Sequence, residues 1–397
     1  MFQFGATGAG VVIAQYLGAK KFSEVRKFAW NAITFNFLFG LLISIIMVLF
    51  SQTFLSFFNL EPVLFNQARV FLLIVGGVLF LQAMMLTISA IVQAHGYTRD
   101  TMFVTVGMNI INIIGNYLLI FGALGFPQLG VVGVAIATVV SQFIGLIVNF
   151  MILFKRVEIR LHLKDMIDWN KARFYQILSV GVPSAIGNLS YSLSQIVTTG
   201  FIVSLGQVML TTRIYTLNIL FFAIVISISL GRGTQIIIGH LVGAGEFEKA
   251  YKTALKNLRM SMLLCLGVAI LLFIAREPLF QLFTDNPVII STGGILLLMG
   301  IALEPGRCFN IVLGQAIQAT GDARYLMLVT IIVIWALSVP LYYLLGIHFG
   351  YGLIGIWLAF IIDEWLRGMV LFWRWKSRAW ERKVLVKKEK QKNEALG

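Results

Sequence analysis

Gln93-Ala94-His95-Gly96-Tyr97-Thr98-Arg99 and Gln318-Ala319-Thr320-Gly321-Asp322-Ala323-Arg324 are two copies of one pattern, Gln-Ala-x-Gly-x-x-Arg, set 225 residues apart. The offset extends beyond them. Moving outward at the same shift, Gly18-Ala19-x-x-Phe22 falls on Gly243-Ala244-x-x-Phe247, Phe58 on Phe283, Pro62-Val63 on Pro287-Val288 and Tyr117 on Tyr342. With a gap of three residues, Gly130-x-x-Gly133-x-Ala135-x-Ala137 approaches Gly352-x-x-Gly355-x-Trp357-x-Ala359. Chance matches are common in apolar sequence, but not at one offset carried through loops for more than 100 residues. The chain is an internal repeat.

What repeats is apolar helix. Of 397 residues, 59% are apolar and 12% charged, against roughly 45–50% and about 25% in soluble proteins. Mean hydropathy is +0.89. A soluble globule, a disordered chain and a disulfide scaffold are excluded. Polar breaks divide the chain into ten spans: 28–50, 69–94, 101–121, 130–154, 177–204, 211–240, 253–274, 288–317, 325–345 and 352–373. A shorter apolar stub, 2–17, precedes them. Apolar blocks this long lack the alternation of barrel strands, so the spans are helices. Cys265 and Cys308 both sit in apolar runs and read as inert core thiols. No secretory leader is expected, because Met1–Tyr16 has no basic start.

Lysine and arginine set the orientation. One set of loops, with the tail from Arg374 to Lys392, holds 25 of them; the opposite set holds only Arg69 and Arg276. The basic set is expected to face the cytoplasm, with the C-terminal tail anchored near anionic lipid. The net charge of +14 is therefore a topology signal, and no nucleic-acid partner is expected. The two copies share one orientation, as parallel repeats do. The second is complete at six spans and the first has four and a stub. Its missing start would lie about 48 residues before Met1, so a twelve-span parent lacking its first span and part of its second is expected. The organisation read from this is an N-lobe at 1–154, a cytoplasmic linker at 155–176, a C-lobe at 177–374 and a basic tail at 375–397.

Several stretches now resemble the multidrug and toxic compound extrusion (MATE) transporters. Gly239-His240-Leu241-Val242-Gly243-Ala244-Gly245-Glu246 resembles the loop after that family's eighth span, and Gly181-Val182-Pro183-Ser184 the start of its seventh. Gln318-Ala319-Thr320-Gly321-Asp322 resembles the end of its tenth. Glu304-Pro305-Gly306-Arg307 and Asp363-Glu364-Trp365-Leu366-Arg367 look like one bacterial branch. The resemblance implies an all-α integral membrane fold: two parallel-repeat helical bundles, a six-helix C-lobe and an incomplete N-lobe, around a central cavity. It also implies a drug–cation antiporter of the bacterial inner membrane, monomeric, exporting small drug-like molecules in exchange for sodium or protons, with no other cofactor. The chain departs from the family in having no acid between Ile177 and Ser204 and no first span to carry a coupling aspartate.

The chemistry points the same way. No Gly-Lys pair occurs, so a phosphate-binding loop is absent. No metal motif or catalytic dyad occurs either, and an intramembrane enzyme is not supported. Only three acids fall inside spans: Glu304, Asp363 and Glu364. Charges at that depth cost several kcal/mol and mark function. Glu304 and Arg307 are spaced i, i+3, as are Glu364 and Arg367; Asp363 and Arg367 are i, i+4. Three carboxylates against two arginines leave one acid free to carry a proton or ligate sodium, so all three are candidates for cation coupling. The alternative is that the cluster is interhelical glue. Pro305 and Pro340 are expected to kink their helices. Asn188, Tyr191 and Gln195 are candidates for lining a cavity, or for interhelical hydrogen bonds. Arg213 is expected to snorkel outward, and Arg232 to counter an acid or snorkel inward. Two other readings stay open: a lipid-linked oligosaccharide flippase, which would want more cationic spans in the first lobe, and a non-functional truncated fragment.

Overall fold

The computed structural model describes residues 3–58, 60–157 and 170–386. Part of the expected linker (158–169) and the end of the basic tail (387–397) lie outside the described residues. The chain is α-helical throughout, with no strand among the described residues. In chain order the helices are α1 (Gln3–Gly18), α2 (Phe22–Leu49), α3 (Ser51–Ser56), α4 (Pro62–Gly76), α5 (Leu79–Ala94), α6 (Thr98–Phe121) and α7 (Val131–Lys155). Then come α8 (Lys171–Ser204), α9 (Gln207–Gly243), α10 (Phe247–Ile274), α11 (Arg276–Gln281), α12 (Pro287–Ala319), α13 (Ala323–His348) and α14 (Gly352–Lys376).

The repeat governs the helix boundaries residue for residue. Shifted by 225, α2 becomes α10 and α3 becomes α11; α4 starts where α12 starts, α5 ends where α12 ends, α6 starts where α13 starts, and α1 ends where α9 ends. The quoted pattern sits at the turn between α5 and α6 and between α12 and α13. There Gly96 and Gly321 have φ of +91° and +95°, a left-handed conformation that glycine adopts without cost. The Gly18/Gly243 pair makes a reciprocal contact. Gly18 lies against the His240 carbonyl and Gly243 against that of Gln15, and 240 is 15 shifted by 225. A contact that maps onto itself under the repeat is the mark of a local two-fold axis.

One helix differs between the copies. Where α12 runs unbroken, its first-copy counterpart breaks after Gly76 and bends by 45° into α5. The adjacent glycines Gly76 and Gly77 supply the break. The span expected at 69–94 is thus two helices, starting at Pro62. Among the described residues seven helices are long and apolar enough to cross a bilayer alone, and the bent α4–α5 pair adds an eighth. Helices α8 and α14 have the length, at 34 and 25 residues, but carry polar and charged residues along them.

The chain forms two compact units, residues 1–13 with 21–181, and residues 14–20 with 182–397. In the first, α5 packs against α2 and α7, and α7 against α6. Its buried polar contacts are uncharged between helices α2 and α5, where Asn36 Nδ2 donates to Thr87 Oγ1 at 2.6 Å. In the second unit α12 is central, with α9, α10 and α14 around it. Two apolar layers hold that unit. One gathers Ile219, Leu220, Leu296, Leu297, Leu303 and Trp357. The other gathers Ile238, Val242, Leu258, Val312, Leu313 and Trp375. After α14 the chain turns back. Trp380 stacks on Trp375 at 4.4 Å, Arg378 pairs with Glu248, and Leu385 N donates to Gln15 Oε1 at 2.9 Å.

Candidate functional site

Between the two apolar layers of the second unit lies a charged one. On α12 the fully buried apolar side chains of these layers stop at Leu303 and resume at Val312; on α14 they stop at Ala359 and resume at Leu371. Glu304, Arg307 and Asn310 fill the first interval, and Asp363, Glu364 and Arg367 the second. Both groups sit near the middle of their helices, farthest from either end.

Close packing brings the two groups together. A Cβ on Gly368 would lie 2.5 Å from Phe309 Cβ, and one on Gly306 would lie 2.7 Å from the Trp365 ring. Only glycine lets α12 and α14 approach this closely. Pro305, inside the unbroken α12, has no N–H to give the Ile301 carbonyl. Beside it, Trp365 Nε1 donates to the Ala302 carbonyl at 2.8 Å.

The five charges form one chain of ion pairs. Arg307 donates to Glu304 Oε1 at 2.5 Å and stands 3.7 Å from Glu364 Oε1. Arg367 grips Asp363 with both ends of its fork, at 2.9 and 2.5 Å, and reaches Glu364 Oε1 at 3.3 Å. Glu364 is thus shared by both arginines, and its other oxygen accepts from Asn310 Nδ2 at 2.8 Å. Ser338 Oγ donates to Asp363 Oδ1 at 2.5 Å. Ser338 belongs to a π-helical stretch of α13, Ile334–Ser338, directly before Pro340. The missing N–H of that proline accompanies the widened turn. Glu304 differs from the other two acids. It is 0% exposed, and its Oε2 is buried with no hydrogen-bond partner. A buried carboxylate oxygen without a hydrogen-bond partner is costly. No group of three or more metal-ligating side chains occurs among the described residues.

The cavity candidates lie on α8. Asn188 is exposed, Tyr191 is 40% exposed, and the Tyr191 ring lies 6.0 Å from the Arg367 guanidinium. Gln195 is half-buried and accepts from Arg213. One expectation fails. Arg213 does not snorkel; it turns across to α8. Arg232 does not meet an acid; it donates to Gln235 Oε1 at 2.6 Å, a residue one turn along α9. Gln235 in turn bonds Gln318, which donates to Ser184. The glutamine of the repeated pattern thus ties α12 to α9 and α8.

Sequence reasoning passed over Asn310 on α12 and Ser338 on α13, whose neutral side chains bond the two acids of α14. It also passed over Ser227, whose Oγ lies 3.1 Å from Cys265 Sγ and 3.0 Å from Cys308 Sγ. Nothing in the spacing of these residues signals that they meet.

The MatE family model matches residues 1–118 and 183–344. The chain is 43% identical to an uncharacterised transporter, YisQ, of Bacillus subtilis, over 97% of its own length and 85% of that protein. It is 27% identical to a probable multidrug resistance protein NorM of Thermotoga maritima, over 97% and 83%. Among solved structures it resembles an outward-facing multidrug resistance MATE transporter of the MOP superfamily. The TM-score is 0.88 at 20% identity, over 96% of this chain and 85% of that one. These matches run along nearly the whole chain and span about 83–85% of the length of each relative. On the family match and the YisQ relative, the chain belongs to the MatE family of multi-pass membrane transporters.

Proposed function

We propose that the chain is a secondary active antiporter that exports drug-like molecules, many of them cationic, in exchange for sodium or protons, and that Glu304 carries the coupling ion. The observation that carries this reading is the orphaned Oε2 of Glu304, fully buried while Oε1 is held by Arg307. A proton or a sodium ion on that oxygen weakens the claim of Arg307 on the acid. Arg307 already stands near Glu364 and can move toward it. Occupancy by the ion then favours one arrangement of the cluster over another, and coupling requires such a difference in affinity between two states. Asp363 and Glu364 are held by Arg367, Ser338 and Asn310, so they set the geometry that Glu304 works against. The relatives' names support a drug-efflux role, and the basic loops support a cell-membrane protein with its C-terminus in the cytoplasm.

The test is ethidium efflux from energised vesicles under a sodium gradient and, separately, a proton gradient. Glu304→Gln keeps the shape of the side chain and removes its charge. It is expected to abolish gradient-driven efflux while leaving expression near normal. If Glu304→Gln transports like the parent under both gradients, the acid is structural and the coupling role is wrong.

A further inference from the structure

Arg213 lies in the second turn of α9, just past the Leu205–Gly206 turn that joins it to α8. Helical side chains lean toward the N-terminus of their helix, and a long cation near a helix end ordinarily uses that lean to reach water. Arg213 instead turns sideways onto its neighbour. Its guanidinium crosses to α8, where Nη1 donates to Thr199 Oγ1 at 2.5 Å and Nη2 to Gln195 Oε1 at 2.8 Å. Gln195 is nine residues before the end of α8 at Ser204, about 13 Å in at 1.5 Å per residue. Arg213 is six residues past the start of α9, about 9 Å in. Thr199 is five residues before that end, about 7.5 Å in, so the two partners bracket the depth of Arg213 and hold its head inside the helix pair.

The result is a charge 7% exposed whose two partners are neutral. Its Nε is buried without any partner, and each terminal nitrogen has a second hydrogen beyond the one it uses. Among the described residues no acid pairs with Arg213. The buried carboxylates among the described residues are Glu304, Asp322, Asp363 and Glu364, and each is held by another arginine. An unpaired buried charge is expensive, and a cheap exit to the helix end lies close by and is not taken.

We propose that Arg213, steadied by Gln195 and Thr199, is the anion-binding subsite of this transporter and takes the carboxylate of an organic molecule, zwitterions included. The inference rests on the reading of the chain as an exporter of small organic molecules and names one class of them. The guanidinium fork with free N–H groups matches a planar carboxylate. A phosphate dianion would want a second cation, and Arg307 and Arg367 are already committed to acids. Access is provided along α8. Tyr191, Gln195 and Thr199 fall at i, i+4 and i+8 on one stripe, with Gln195 and Thr199 half-buried and Tyr191, Ile196 and Ile214 exposed. The guanidinium therefore sits directly under a reachable face.

The test is equilibrium binding of radiolabelled 1-naphthoate to the purified full chain, beside its neutral isostere 1-naphthamide, with and without excess chloride. No gradient is applied and Glu304 is left intact, so failure here is separate from failure of the coupling role. The parent is expected to bind naphthoate more tightly than naphthamide. Arg213→Gln should weaken naphthoate by about tenfold or more, the worth of a charge-assisted pair, and leave naphthamide unchanged. Arg213→Lys keeps the charge but not the fork, and should also weaken naphthoate. It decides the matter if the glutamine variant fails to fold. Equal binding of naphthoate to the parent and the folded variants, or no preference of the parent for naphthoate over naphthamide, overturns the proposal. So does chloride displacing naphthoate completely at equimolar concentration, which would make the site a halide site.

Discussion

Gly368→Ala adds one methyl group at the point where α14 touches α12. The new Cβ would stand 2.5 Å from Phe309 Cβ, against about 3.5–4.0 Å for carbon atoms in normal contact. A Cβ cannot rotate away, because it is fixed to the backbone, so the helices must part by about 1 Å. The pairs made within one helix, Glu304–Arg307 and Asp363–Arg367, survive that movement. The bonds across it do not. Asn310–Glu364 at 2.8 Å and Arg307–Glu364 at 3.7 Å both pass out of range. Overpacking costs about 1–3 kcal/mol and a lost hydrogen bond to a buried charge about 1.5–3 kcal/mol. Against this, alanine gains roughly 1 kcal/mol over glycine in a helix. The net loss is about 2–5 kcal/mol, a large share of the roughly 5–15 kcal/mol that holds a folded domain. Gly267→Ala is the matched control, since nothing lies within 4 Å of a Cβ there. The assay is the temperature at which detergent-solubilised protein aggregates, read for the parent and both variants. Gly267→Ala should match or exceed the parent, and Gly368→Ala should fall well below it. If the two variants melt together, the close approach does not hold the cluster.

Arg307→Ala leaves Glu304 buried and unpaired, a change worth about 3–5 kcal/mol when one partner of a buried pair is removed, so the yield of monodisperse protein should collapse, whereas Glu304→Gln should be recovered normally. Cys265 and Cys308 are each 0% exposed, so maleimide should label neither until the protein is denatured; rapid labelling in the native state would refute the packing of α10 on α12. The turn after α14 should come loose in acid. Arg378 holds the Glu248 carboxyl below its ordinary value through a hydrogen bond, with Lys252 and Glu381 also near the pair at 3.7 and 3.6 Å. A carboxylate with a depressed value stabilises the folded form above about pH 4.3, its unpaired value, and that contribution is lost as pH falls through the lowered one. Protease cleavage after Arg378, followed over that range, should rise in the parent and be independent of pH in Glu248→Gln.

The repeat made most of the fold legible, because each copy checks the other. A helix end at Ala94 is ambiguous alone and firm when Ala319 ends a helix at the same shift. The charge pairs within one helix were legible for a similar reason: spacing of three or four residues fixes which side chains meet. What joins the helices was not. Asn310 and Ser338 reach the acids only because Gly306 and Gly368 set the approach of α12 and α14 and because a π-helical stretch turns Ser338 inward. Those are properties of rotation and distance, which a linear pattern does not carry. Arg213 shows the same limit, since its position on α9 is written in the sequence and the direction of its side chain is not.

The copies also show where the chemistry departs from the scaffold. At the 225 shift, Glu304 corresponds to Leu79 and Arg307 to Gln82. With the three-residue gap, Asp363, Glu364 and Arg367 correspond to Ser141, Gln142 and Gly145. None of the five charges has a charged counterpart. Helix starts, helix ends and turn glycines agree between the copies because either bundle needs them to fold. A charge buried in one copy and absent from the other is not required by that shared fold, and it costs stability where it stands. Support for the proposed coupling role of Glu304 is thus independent of the family match: an expensive group stands where the scaffold, by its own other copy, has no use for one.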